Sequence, residues 1–134
     1  MAIHSNIFLK KKILIYGLGK SGLSAFNFLK DKSHLFLYDD FSSNIKNLNL
    51  SKRFISFKEV LNLKFDKIII SPGVDINNCK LSSFLKKNFD KIYTDLDVFY
   101  AFFKNESITI TGTNGKSTVC QLLYEILSNQ KIDT

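Results

Sequence analysis

The run KILIYGLGKSGLSAFNFL, Lys12 to Leu29, constrains the fold more than any other part of the chain. Lys12-Tyr16 is a short apolar run that enters a glycine turn, which suits a buried parallel strand. Beyond the turn, Ser21-Lys30 places Leu23, Phe26 and Leu29 on one side at helical spacing. His34-Tyr38 (HLFLY) reads as a second strand ending at Asp39-Asp40. Strand, helix and strand within about thirty residues make a βαβ unit.

The remainder repeats the alternation. Phe41-Leu50 is polar and reads as a loop or weak helix, Arg53-Phe57 as a third strand, and Lys58-Asn62 as a short helix. Lys67-Ile70 (KIII) is a buried strand closed by Ser71-Pro72-Gly73, since proline cannot continue the ladder. Leu81-Lys87 is predicted helical, Lys91-Tyr93 extended, and Asp95-Phe103 helical with an aromatic face. Lys104-Asn105-Glu106 is a polar break, placing a domain boundary between 1-104 and 105-134. Ser107-Thr111 (SITIT) reads as a new strand, followed by a glycine loop and a helix from Lys116 to about Ser128. The fold class is therefore α/β: a Rossmann-like, mainly parallel sheet with flanking helices, then the first strand, phosphate loop and helix of a second α/β domain.

At 134 residues the chain has room for one domain and part of another. Its net charge of +7 would suit an anionic ligand or nucleic acid, but the lysines are spread along the chain rather than gathered on a motif. No zinc-finger spacing or RNA-binding aromatic signature accompanies them, so no nucleic-acid partner is expected. Cys79 and Cys120 lack metal-ligand spacing and read as reduced structural residues; His4 and His34 are isolated and read as surface or strand-edge residues. Neither a signal peptide nor a bilayer-spanning run is evident, so a cytoplasmic protein without membrane insertion is expected.

Two motifs carry chemistry. Gly17-Leu18-Gly19-Lys20-Ser21-Gly22 fits G-x-G-x-x-G. Gly17 permits the tight turn, Gly19 the approach of a phosphate, and Gly22 the close packing of helix on strand. The helix N-terminus then offers N–H groups to an anion. On physics alone this predicts a dinucleotide site with Asp39 or Asp40 on a ribose. A sugar nucleotide fits equally, and a plain strand–helix joint is the structural alternative. In the second motif, ITGTNGKST, Gly112 and Gly115 supply a backbone cradle, Lys116 the charge for β/γ-phosphates and Ser117 a hydroxyl for Mg²⁺. The full G-x-x-x-x-G-K-[ST] spacing would need glycine at 110, where the chain has Ile110. A simple helix-capping turn is the alternative there.

GLGKSGLSA, the YDD strand end, SPGV, DLDVF and TGTNGKST, in this order, resemble the Mur ligase family of peptidoglycan synthesis, in particular its D-glutamate-adding members. The resemblance implies an ATP-dependent ligase with ATP and Mg²⁺ as cofactors, and UDP-N-acetylmuramoyl-L-alanine and D-glutamate as substrates. It also implies a monomer at full length. Carried onto this chain, it places Gly17, Gly19, Lys20, Ser21, Gly22, Asp39, Asp40, Ser71 and Gly73 at the UDP-substrate. Gly112, Thr113, Asn114, Gly115, Lys116, Ser117 and Thr118 would lie at ATP, with Ser117 or Thr118 near the metal. Some relatives place arginine or threonine after the strand-end aspartate to hold phosphate. This chain has Asp40 and Phe41, so its diphosphate contacts would differ, using Lys20 or Lys46. The family's further metal-binding residues and its amino-acid-binding domain would lie beyond Thr134. The 134-residue chain alone is therefore expected to lack ligase activity. A regulatory NAD-binding module, another amino-acid-adding Mur ligase, or a non-catalytic binding protein are the alternatives.

Overall fold

The computed structural model describes residues 6–41, 53–103 and 106–130. By contacts the chain divides into two compact units, Met1–Lys104 and Asn105–Thr134.

The first unit is a parallel sheet covered on both faces. Its strands are β1 (Lys12–Tyr16), β2 (His34–Tyr38), β3 (Lys67–Ile70) and β4 (Ile92–Tyr93), and its helices are α1 (Lys20–Leu29), α2 (Phe57–Asn62), α3 (Ser82–Lys87) and α4 (Asp95–Phe102). The strands lie in the order β2-β1-β3-β4, all parallel, with Leu14 opposite Phe36 on one side and Ile68 on the other.

Alternation along the strands divides the core. Ile13, Ile15, Leu35, Leu37 and Ile69 face one side, where Ala25, Phe26 and Leu29 of α1 and Val98 of α4 cover them. Leu14, Tyr16, Tyr38, Ile68 and Ile70 face the other, against Val60 of α2 and Leu81 and Leu85 around α3. Burial on both faces explains why the central strands read as continuous apolar runs. Two capping boxes fix helix starts: Ser56 with Glu59 for α2, and Thr94 with Asp97 for α4.

The third strand expected at Arg53-Phe57 is not formed. Only Phe54 pairs, by a parallel bridge to Leu37, and the Ile55 N–H donates to the Leu37 carbonyl at 3.0 Å. The Ser56 capping box starts α2 at Phe57 and so takes the next residue out of any ladder. If the bridge is given the strand's place, the order outward from it becomes 3-2-1-4-5, the Rossmann order. The loop expected at Phe41-Leu50 lies, beyond Phe41, outside the described residues, as do Lys46 and His4. His34 is the exposed first residue of β2.

In the second unit the helix α5 (Lys116–Asn129) is present. The strand expected at Ser107-Thr111 is not: residues 106–111 carry no ladder. A strand exists only through its neighbour's hydrogen bonds, and no described segment of this unit supplies a paired edge.

Candidate functional site

Because all four strands are parallel, their carboxyl ends emerge at one edge, and the chain leaves β1 for β2 on one side and β3 on the other. That divergence is where open α/β sheets leave a crevice. Here it is a cavity of about 510 Å³ walled by the three segments that follow β1, β2 and β3.

The segment after β1 is the glycine turn. Gly17 has φ +88°, and a Cβ on it would lie 2.8 Å from Val74 Cγ2 and 2.9 Å from Ser71 Cβ. Its N–H donates to the Tyr38 carbonyl at 3.0 Å. A Cβ on Gly22 would fall 1.9 Å from the Gly17 carbonyl oxygen, so only glycine lets α1 start this close to the strand end. Gly19 differs: it is the extended N-cap of α1, and nothing lies within 4 Å of a Cβ there. No side chain caps the helix, so its first-turn donors are left for another acceptor.

The segment after β2 is held to that turn by carboxylates. Asp39 accepts the Leu18 N–H on one oxygen at 2.7 Å and the Phe41 N–H on the other at 2.8 Å. Asp40 accepts from the Tyr16 hydroxyl at 2.7 Å and from the Lys80 N–H at 3.3 Å, and its carbonyl accepts from Lys80 Nζ at 3.1 Å. Its other carboxylate oxygen is buried and has no partner among the described residues. Burial, with Cys79 and Asp40 alongside, pushes the Tyr16 phenol far above its ordinary range. Tyr38 is pushed up to about 12, by burial first and then by the Asp40 charge.

After β3, the buried Ser71 donates its hydroxyl to the Gly17 carbonyl at 2.8 Å, and Gly73 is open. Further along, Asp75 accepts from the Asn78 side chain at 2.7 Å and the Asn77 N–H at 2.9 Å. These bonds, the Asn78 amide foremost, hold its carboxyl below the usual range.

The structure thus brings Gly17, Gly19, Lys20, Ser21, Asp39, Asp40, Ser71 and Gly73 to one cavity, while Gly22 sits beneath it as a packing residue. Phe41, Asp75, Asn78 and Cys79 also line it. Sequence reasoning passed over Asp75 and Asn78 and read Cys79 as structural. Their only signal was proximity to the Ser71-Pro72-Gly73 strand end.

In the second unit, Gly112 and Gly115 both take positive φ, 144° and 76°, and Gly115 is the N-cap of α5. Lys116 Nζ turns back to donate to the Gly112 carbonyl and, at 3.4 Å, to that of Thr113. Ser117 and Thr118 follow in the first turn. Among the described residues no group of three or more His, Cys, Asp or Glu side chains could hold a metal ion. The hydroxyls of Ser117 and Thr118 are hard oxygen donors of the kind Mg²⁺ accepts.

Residues 11–92 match the family described as Mur ligase MurD-like, N-terminal domain. The chain belongs to this family. UDP-N-acetylmuramoylalanine–D-glutamate ligase of Rickettsia prowazekii (strain Madrid E) is 37% identical over 133 residues, covering 96% of this chain and 29% of the relative. The enzyme of the same name from Aquifex aeolicus (strain VF5) is 35% identical over 116 residues, 87% of this chain and 25% of its own length. That of Buchnera aphidicola subsp. Baizongia pistaciae (strain Bp) is 32% identical over 137 residues, 95% and 30% respectively. The chain therefore spans between a quarter and a third of these MurD-type relatives. No helix among the described residues is long and apolar enough to cross a membrane.

Proposed function

We propose that the first unit binds the UDP moiety of UDP-N-acetylmuramoyl-L-alanine in the cavity at the carboxyl edge of the sheet. We further propose that the chain is the amino-terminal part of a cytoplasmic ATP-dependent ligase that joins D-glutamate to that substrate. The observation that carries this reading is the coincidence of the family match with a cavity at the strand divergence, walled by the glycine turn. Lys20, Ser21 and the uncapped start of α1 form the anion-binding side, while Asp39, Asp40, Ser71 and Gly73 border the nucleoside.

The reaction is acid–amine ligation. The substrate carboxylate attacks the γ-phosphorus of ATP, releasing ADP and leaving an acyl phosphate. The D-glutamate amine then adds to the acyl carbon; phosphate leaves and the nitrogen loses a proton. Gly112 to Thr118 form the ATP-phosphate loop, in which Lys116 exchanges its loop carbonyls for the β/γ-phosphates. Ser117 or Thr118 would offer a hydroxyl to Mg²⁺, which when bound would offset charge on those phosphates. Because the chain covers only a quarter to a third of these relatives, no ligation is expected from the 134 residues alone.

Calorimetric titration tests the binding assignment. Saturable binding of UDP-N-acetylmuramoyl-L-alanine with no response to NADH is expected. Tight NADH binding with no UDP-substrate response would replace the assignment with a dinucleotide site. Phosphate release from ATP that depends on D-glutamate, by this chain alone, would sink the claim of incompleteness.

A further inference from the structure

The lysines form no motif in the sequence, but the fold gathers several of them at the amino-terminal edge of the sheet, opposite the cavity described above. There a second cavity of about 570 Å³ opens beside His34, the first residue of β2. It shares no lining residue with the first. Lys10 borders it from the segment before β1, Lys30 and Lys32 from the turn after α1, and Arg53 from the segment before α2. Against these four permanent cations its lining holds one carboxylate, Asp31.

Helix capping explains part of this arrangement, since cations favour the carbonyl end of a helix. Lys32 Nζ donates to the Phe28 carbonyl at 2.8 Å and lies 4.4 Å from the centre of the Phe28 ring. The Arg53 guanidinium lies 5.5 Å from the centre of the Phe26 ring, with one nitrogen 3.5 Å from the Lys30 carbonyl. The ammonium groups of Lys10 and Lys30 take no part in capping. Both residues are exposed, and neither ammonium has a hydrogen-bond or ion-pair partner among the described residues. Lys10 also stands at a backbone position that costs a lysine more than a glycine. Its φ is +56°, in the left-handed region, and its N–H donates to the Lys32 carbonyl at 2.9 Å, which pins it beside the turn after α1.

We propose that this cavity is a second anion site that takes a short condensed phosphate, a chain of two or three phosphoryl groups. A single orthophosphate is far smaller than the space, whereas a linear polyanion meets cations from three segments at once through charge-assisted contacts. Lys32 and Arg53 are held by carbonyls and rings beforehand, so less side-chain freedom is lost on binding. Lys10 and Lys30 supply the charge that the fold leaves unneutralised.

Amide-shift titration of the isotopically labelled chain with tripolyphosphate reads this cavity apart from the glycine turn and from the loop at 112–118. Saturable shifts are expected at residues 30–35 and at Arg53. Lys10→Gln combined with Lys30→Gln should weaken that response on the order of tenfold. Lys86→Gln combined with Lys87→Gln removes the same charge from exposed positions on α3, outside both cavities, and should leave the response unchanged. All four side chains are exposed, and unshifted amides in β1 and β3 verify that each double variant is folded. Absence of saturable shifts at residues 30–35 overturns the proposal. So does equal weakening by the two double variants, which would reduce the effect to the chain's net charge of +7. Because residues 30–35 are read separately, failure of the nucleotide reading does not alter either outcome.

Discussion

Gly22→Ala is expected to unfold much of what the motif holds together, and Gly19→Ala to leave the fold intact. The added Cβ at Gly22 would stand 1.9 Å from the Gly17 carbonyl oxygen. Restoring an ordinary contact of about 3.3 Å requires the helix start or the turn to retreat by roughly 1.4 Å. The obstacle is backbone, and the turn cannot yield easily, because Gly17 is itself bonded to Tyr38 and Ser71. Movement of α1 instead draws Ala25, Phe26 and Leu29 off the sheet. A gap of 0.5–1 Å forfeits roughly a quarter to a half of each dispersion contact. Overpacking with backbone displacement costs about 3 kcal/mol or more, against a total of about 5–15 kcal/mol for a domain of this size. The midpoint of thermal unfolding should then fall by about 12–24 °C.

Gly19 serves as the control within the same motif. Its φ of −68° suits alanine, and a Cβ there meets nothing within 4 Å. Lower unfolded-state entropy favours the alanine form, and poorer N-capping disfavours it, each by about 0.5–1 kcal/mol. The midpoint should stay within about 4 °C, while UDP-substrate binding weakens because the methyl enters the cavity. Thermal melts followed by the near-ultraviolet signal of the packed Tyr16–Tyr38 pair, whose centroids lie 5.2 Å apart, report on this unit's core. A Gly22→Ala midpoint within about 4 °C of the parent, or a Gly19→Ala loss as large as that of Gly22→Ala, would refute the reasoning.

Asp39→Ala leaves the Leu18 and Phe41 N–H groups without their carboxylate and should cost about 2 kcal/mol or more, read as a lower urea midpoint with unchanged slope; an unchanged midpoint contradicts the fastening role. Tyr38 and Tyr16 titrate late because burial favours their neutral forms, so stability is fully present below about pH 10 and declines as pH rises towards the Tyr38 value of about 12. Phenolate difference absorbance checks this, and all five tyrosines ionising together near pH 10 would contradict it. Lys116→Ala should lower affinity for a fluorescent ATP analogue at least about tenfold, the loss of a charge-assisted phosphate contact; equal affinity would remove the phosphate-loop assignment from Gly112–Thr118.

Much of the first unit was legible because burial on both faces writes itself into runs such as KILIY and KIII. The glycine motif announced the strand–turn–helix joint, and Pro72-Gly73 announced the end of β3. The third strand misread shows the limit of local pattern. Arg53-Phe57 has strand-like residues, but the Ser56–Glu59 capping box, which the sequence also contains, stabilises a helix start inside it. Ser107-Thr111 failed for a non-local reason, since its propensity is strand-like but a ladder needs a partner. At the site, glycine and strand-end aspartates were visible as motif letters. The roles of Asp75, Asn78 and Cys79 were not, because they depend on where the loop after β3 crosses the edge.

The arrangement also alters what the strand-end carboxylates mean. Read as letters, Asp39 or Asp40 is expected on a ribose; in the fold each is first a fastener. Asp39 ties the segment after β2 to the glycine turn, Asp40 ties it to Tyr16 and to Lys80 beyond β3, and Ser71 ties that side back to Gly17. Three loops far apart in sequence are thereby linked into one rim before any ligand arrives. Preorganisation of this kind lowers the ordering cost of binding. It also shifts discrimination towards the groups that stand on the rim without building it. The Gly19 backbone, Lys20 and the exposed Phe41 ring line the cavity without tying its loops together, so substitution there should change what the cavity accepts while leaving the rim intact.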